Sequence, residues 1–239
     1  MKKKVKSKKN NKVRRFFKIL LWGILIYVSI SIFLTLIYTF VNPPVTILMI
    51  QRTIEQTFSK NREVRLKKDW VDIKDISPQM IRAVVAAEDC NFTKHNGFDF
   101  SAIKRAQKDA ERRNKAPRGA STITQQMCKN VFLWNHRSYF RKGLEAYYTV
   151  LTEFIWSKER IMEVYLNVIE FGDGIYGVEA ASQYYFGKSA KRLTKREAAM
   201  LAATLPSPLK KNPKQKTSYY NSRVSLIIHR MDAIGAVRF

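Results

Sequence analysis

Glu88 opens the stretch Ala86-Ala87-Glu88-Asp89-Cys90-Asn91-Phe92-Thr93-Lys94-His95-Asn96-Gly97-Phe98-Asp99, and its position suits proton transfer. Ser77-Pro78 reads as an N-cap followed by proline at the first helical position, which predicts a helix over 79–89. On it Ile81, Val84, Val85 and Glu88 recur at i, i+3, i+4 and i+7, so the carboxylate shares the apolar stripe at its last turn. Burial and the negative end of the helix dipole both disfavour the ionised form, which tunes a carboxylate toward general acid or base work near neutral pH. A frayed helix end with Glu88 turned into water fits the local pattern equally well.

Two further groupings could handle an anionic or hydroxyl-bearing ligand. In Arg118-Gly119-Ala120-Ser121-Thr122-Ile123-Thr124-Gln125-Gln126-Met127-Cys128-Lys129-Asn130, Ser121 reads as an N-cap. Ser121, Gln125 and Lys129 then align as a polar face with a single charge, suited to gripping hydroxyls, amides or phosphate oxygens. The alternative is a polar surface turn. In Arg137-Ser138-Tyr139-Phe140-Arg141-Lys142-Gly143-Leu144-Glu145, residues Arg137, Arg141 and Glu145 repeat every four positions. That is either an exposed ion-pair ladder or a clamp for a pyrophosphate with a second carboxylate beside it.

The elements that hold these groups read as helix after helix. Helical patterns cover 100–113, 121–131, 139–156, 159–168, 178–186, 197–205 and 219–233, with a Thr194-x-x-Glu197 capping box. No alternating run suggests a sheet, so the domain is expected to be all-α or mainly α. The chain has 239 residues, 46% of them hydrophobic, with 44 Lys+Arg against 19 Asp+Glu and a formal charge of +25. That excess points to a polyanionic partner: nucleic acid, an anionic membrane surface or a phosphate-bearing substrate. Two cysteines, Cys90 and Cys128, exclude a disulfide scaffold and show no metal-ligand spacing with the three histidines. The glycine patterns of nucleotide-binding α/β domains are absent. Ser207-x-x-Lys210 has the spacing of a serine acyl-transfer site but sits in a proline-flanked loop with too little chain after it, and reads as chance.

Four regions divide the chain: a basic tail (1–15), an apolar membrane-spanning helix (16–41), a juxtamembrane segment (42–69) and a globular domain (70–239). The run 19–41 is broken only by Gly23, Ser29, Ser31, Thr35 and Thr39. As a helix it is roughly 35 Å long, enough to cross the hydrocarbon layer. No small-residue cleavage site follows, which predicts a retained anchor, and the basic flank places the N-terminus in the cytoplasm. The Lys/Arg-rich stretch 108–119 is expected to form a mobile flap, and the helix near the C-terminus is expected to serve packing.

Taken in order, Glu88-Asp89-x-x-Phe92-x-x-His95-x-Gly97-Phe98-Asp99, Gly119-Ala120-Ser121-Thr122-Ile123-Thr124-Gln125-Gln126 with Lys129-Asn130, Arg141-Lys142-x-x-Glu145 and Lys158-x-x-Ile161-x-x-x-Tyr165-Leu166-Asn167 resemble the successive motifs of the family 51 peptidoglycan glycosyltransferases. Gly172-x-Gly174-Ile175-Tyr176-Gly177-Val178-Glu179-Ala180-Ala181 continues the likeness, which runs over about 70–208. One anchor and no transpeptidase domain resemble the monofunctional biosynthetic form of Gram-negative bacteria.

The resemblance implies a lysozyme-like helical fold and polymerisation of lipid II, with Glu88 as general base and Glu145 as a second catalytic carboxylate. Lys129, Arg137 and Glu145 would orient the donor pyrophosphate, directly or through a divalent cation, magnesium or manganese, near Glu145. Ser121, Gln125 and Asn130, with Arg105 and Arg141, would hold sugar or phosphate oxygens. Asp89, Phe92, His95 and Gly97 would shape the loop. It implies lipid II, the growing glycan chain, membrane lipid and proteins of cell-wall synthesis and division as partners, rather than nucleic acid. A single-pass location in the inner membrane with a periplasmic catalytic domain follows. The competing classes are a lytic enzyme of lysozyme-like fold acting on finished glycan and a membrane-tethered basic binding module.

Overall fold

The computed structural model describes residues 2–60, 62–115, 120–136, 138–215 and 217–239, with side chains from Lys12 onward. Two units result, one formed by the N-terminal 41 residues and one by Asn42–Phe239. The first is a single helix, α1 (Lys2–Phe40), which runs from the basic tail through the apolar run. Within it Lys12–Phe40 is long and apolar enough to cross a membrane. Asn42-Pro43-Pro44 follows its end, where proline cannot continue the helical hydrogen bonds.

The second unit is mainly helical. Residues 42–69 are part of this unit. Thr46 caps α2 (Ile47–Thr57), which buries Leu48 and Met49. The outer side of α2 leaves Ile50 and Ile54 exposed. Beyond α2 the chain pairs as β1 (Lys67–Lys68) with β3 (Ile175–Tyr176) in parallel, and β3 pairs antiparallel with β2 (Glu170–Gly172). This small sheet, in the order β1-β3-β2, has no counterpart in the sequence pattern, because two or three residues are too few for alternation to register. Gly174 makes its turn at φ +68°, where any Cβ would strike the Arg65 carbonyl oxygen.

The helices α3 (Pro78–Glu88), α9 (Lys195–Thr204) and α10 (Ser218–Ile234) pack together as one layer. Met80, Ala83 and Val84 of α3 and Ala198, Leu201 and Ala202 of α9 are fully buried. The alanines among them allow close helix approach, and each buried methylene contributes roughly 0.8 kcal/mol. Tyr220 of α10 ties the layer by donating its hydroxyl to the Met200 carbonyl at 2.6 Å. The helices α5 (Ile123–Phe132), α6 (Tyr139–Ile155) and α7 (Lys158–Val168) make the second layer. Its centre is Ile123, Met127, Ile161, Met162 and Tyr165, all excluded from water. Helices α4 (Phe100–Arg113) and α8 (Val178–Phe186) complete the unit.

The last six residues of α4 lie in the stretch expected to form a flap. Residues 108–113 are helical, and the helix closes at Asn114 in the left-handed conformation. Its high charge marks a solvated face, not a loop. The remainder of that stretch, 116–119, lies outside the described residues, as does Arg137.

Candidate active site

Ser77 starts α3 by accepting a hydrogen bond from the Gln79 N–H, with Pro78 in the first turn. The helix ends on Glu88, whose side chain is only 13% exposed. Glu88 therefore does not turn into water. One of its oxygens accepts from Gln126 Nε2 at 2.9 Å, and the other lies 3.4 Å from Arg223 Nη2 on α10. Gln126 is fixed in turn by the Tyr165 hydroxyl, which donates to its Oε1 at 3.1 Å. Burial pushes the Glu88 carboxyl above its ordinary range, and it prevails over the Gln126 hydrogen bond and the charges of Arg223 and Lys211.

Asp89, next in sequence, points the other way. Its buried carboxylate accepts from the Ile123 N–H at 3.0 Å, in the first turn of α5, where the helix dipole favours negative charge. His95 Nε2 lies 3.0 Å from the same group, which orients the ring. Phe92 is wholly buried, with the Lys158 ammonium 4.7 Å from its ring centre. Gly97 sits at φ +83° against Thr149, with no room for a Cβ, and its carbonyl accepts the Thr122 hydroxyl at 2.7 Å. These four loop residues thus pin the end of α3 to the start of α5.

Thr122, not Ser121, is the N-cap of α5. It forms a capping box with Gln125, whose Oε1 accepts from the Thr122 N–H at 3.0 Å. Gln125 is consequently 5% exposed and turned back on its own helix, away from any ligand. The face that α5 presents is Gln126, Lys129 and Asn130, at i, i+3 and i+4. Sequence reasoning passed over Gln126 as a site residue although it stands beside Gln125. The S/T-x-x-Q pattern of the cap could have separated the two.

On α6, Arg141 Nη1 lies 2.7 Å from one Glu145 oxygen, and Lys142 Nζ engages the other. Glu145 is 3% exposed. Lys142 also reaches the Ser121 hydroxyl at 3.3 Å. Burial lowers the Lys129 ammonium from its ordinary value, with the Glu145 charge opposing. Both Glu145 oxygens are thus occupied by cationic side chains, and no group of three or more His, Cys, Asp or Glu residues converges among the described residues.

Two cavities adjoin the Glu88–Gln126 pair. One, of about 390 Å³, is walled by Gln126, Lys129, Asn130, Arg141 and Arg52, and closed by the loop after α9 that carries Pro206 and Lys210. The Ser207-x-x-Lys210 segment thus lies in a cavity wall. The other, of about 190 Å³, contains Glu88 itself with Asp99, Arg105, Ser121 and Arg230. Arg105 is largely exposed and 3.9 Å from Asp99. Gln126 therefore faces one cavity while holding the carboxylate of the other. The C-terminal helix, expected only to pack, contributes Arg223 and Arg230; no motif in the sequence marks them. Cys128 is buried beside Thr152, and burial pushes its thiol up to about 12, so it is inert.

In this mainly helical domain the buried carboxylate at the end of α3 is linked through Gln126 to a cation-walled cavity. The family model described as Transglycosylase matches residues 52–232, and the chain belongs to this family. Proteins named biosynthetic peptidoglycan transglycosylase are similar along nearly the whole chain. That of Pseudomonas putida is 46% identical over 223 residues, covering 93% of this chain and 92% of its own. That of Caulobacter vibrioides is 48% identical over 227 residues, covering 95% and 94%. The Bdellovibrio bacteriovorus protein is 48% identical over 209 residues, covering 87% and 83%.

Proposed function

We propose that the protein is a peptidoglycan glycosyltransferase that polymerises lipid II into linear glycan strands and releases undecaprenyl diphosphate. The observation that carries this reading is Glu88, held by Gln126 between a cation-walled cavity and a second pocket. In the proposed reaction the ionised Glu88 takes the proton from the 4-hydroxyl of the acceptor sugar. That oxygen attacks the anomeric carbon of the growing chain, and the bond to the diphosphate breaks with inversion from α to β. Lys129, Arg141 and Asn130 neutralise and hold the departing diphosphate, whose charge grows in the transition state. Glu145 acts through the two cations it orients, so we assign it a positioning role in place of a catalytic one. Ser121 and Arg105 face the second cavity and suit the sugar and phosphate oxygens of the acceptor.

The N-terminal helix suits a single-pass anchor in the inner membrane. Its basic flank favours a cytoplasmic N-terminus and a periplasmic catalytic domain, which keeps the cleft near lipid-linked substrate. The test is polymerisation of labelled lipid II in detergent by the full chain and by Glu88→Gln, with lipid binding followed in parallel. Polymer from the first and none from the second, despite retained binding, is expected. Equal polymer from both overturns the role of Glu88, and cleavage of finished glycan without polymerisation replaces the reading with a lytic one.

A further inference from the structure

The larger cavity contains a carboxyl that the proposed reaction does not use. Glu170, the first residue of β2, forms part of the wall that also holds Lys129 and Arg141, and it is 4% exposed. Its surroundings leave it short of partners. Arg52 of α2 approaches one oxygen with Nε at 3.4 Å but gives its 2.7 Å contact, from Nη1, to Glu55. That Arg52 Nε is itself buried without a hydrogen bond. The nearby Arg62 is committed to Asp173, which also takes a 2.7 Å hydrogen bond from Gln56. The Tyr176 hydroxyl from β3 reaches the other Glu170 oxygen only at 3.5 Å.

The groups facing Glu170 are therefore Arg52 and Glu55 from α2, Arg62 from the loop after it, and Asp173 and Tyr176 from the sheet. Across the cavity stand Lys129 of α5, Arg141 of α6 and Lys210 of the closing loop. Burial, helped by Asp173 and opposed by Arg52, pushes the carboxyl up to about 6. At neutral pH it is mostly ionised. A diphosphate entering the same cavity brings negative charge beside it, at a place where little water screens the repulsion.

We propose that Glu170 is a positioning residue that meets the diphosphate of the lipid-linked ligand as a neutral acid: the carboxylate takes one proton from bulk water as the ligand enters and presents an O–H to it. No other bond forms or breaks. This rests on the cavity being the diphosphate site. Binding and proton uptake are then linked, so affinity is greatest below about pH 6 and falls as pH rises, by up to about tenfold per pH unit until the ligand-bound carboxyl itself ionises.

The experiment uses the full chain in detergent carrying Glu88→Gln, which blocks turnover and removes the titration of Glu88. The probe is a short-chain lipid II analogue, whose diphosphate diester keeps the same charge between about pH 5 and pH 8. Isothermal calorimetry in two buffers of different ionisation enthalpy reads proton uptake near pH 7 directly. Net uptake is expected, and adding Glu170→Gln should abolish it and leave binding as tight at pH 8 as at low pH. The histidines are common to both proteins, so the difference belongs to Glu170. Binding with no proton uptake, or uptake unchanged by Glu170→Gln, overturns the role of Glu170 while the cavity assignment stands. Absence of binding at every pH overturns both.

Discussion

Two glutamates, one at the end of α3 and one in the second turn of α6, show how differently a buried carboxylate can be employed. Glu145 has a cation on each oxygen, both from its own helix α6. Glu88 has one amide hydrogen bond and one guanidinium at 3.4 Å, and it borders a cavity. The first arrangement engages each oxygen with a cationic side chain of the same helix. The second leaves the carboxylate underpaired, raised by burial and accessible, which are the conditions a general base needs. The contrast shows that paired acids in a cleft need not share the chemistry: partners already made decide which of them is available.

The largest effect should come from removing the available one. Glu88→Gln is expected to lower the polymerisation rate by about 10³-fold, within the range for loss of a general base, while leaving lipid binding and thermal unfolding almost unchanged. Radiolabelled glycan and a melting curve on the same preparation check it. An unfolding shift comparable to the activity loss would erase the contrast with Glu145.

Glu145→Gln should behave in the opposite sense. It leaves the Arg141 and Lys142 charges beside each other without their shared anion. Breaking a buried pair costs about 3–5 kcal/mol, and the low end applies because the Lys142 side chain is 47% exposed. A fall in unfolding free energy of about 3 kcal/mol by urea titration is expected, with polymerisation recovering in part when Lys142→Met is added. If Glu145→Gln abolishes activity at unchanged stability, Glu145 is catalytic after all.

Much of this contrast was legible in the sequence. Ser77-Pro78 and the apolar spacing offered Glu88 as a buried helix end beside an equally open exposed one, and the i, i+4 spacing of Arg141 and Glu145 fitted both an ion pair and a ligand clamp. Val84 and Val85 are buried as the stripe expected, but the buried face also takes in Met80, Ala83 and Ala86 while Ile81 is half-buried, because the neighbours are two helices and not one. Gln125 against Gln126 was not legible from polarity alone, since both are glutamines and only the capping geometry tells them apart. Arg223, Arg230 and Glu170 were invisible for a different reason. Each reaches the cleft from an element far away in sequence, and a local pattern carries no record of which distant strand or helix it will face.

Gln126 sharpens the comparison with a smaller effect. It is the only neutral hydrogen-bond donor to Glu88 among the described residues, and its bond favours the ionised carboxylate. Gln126→Leu keeps the volume but removes that donor, so the Glu88 carboxyl should rise further. A base is active when ionised, hence the acid limb of the kcat/KM profile should move to higher pH, by about one unit at most, or about 1.4 kcal/mol. The same change frees the Tyr165 hydroxyl, whose environment is otherwise dry, and adds a stability cost of about 1 kcal/mol. Initial rates across a pH series, paired with urea titration, separate the two consequences. An acid limb that stays in place while stability falls would mean that burial and Arg223 set the proton affinity of Glu88 and that Gln126 only holds Tyr165.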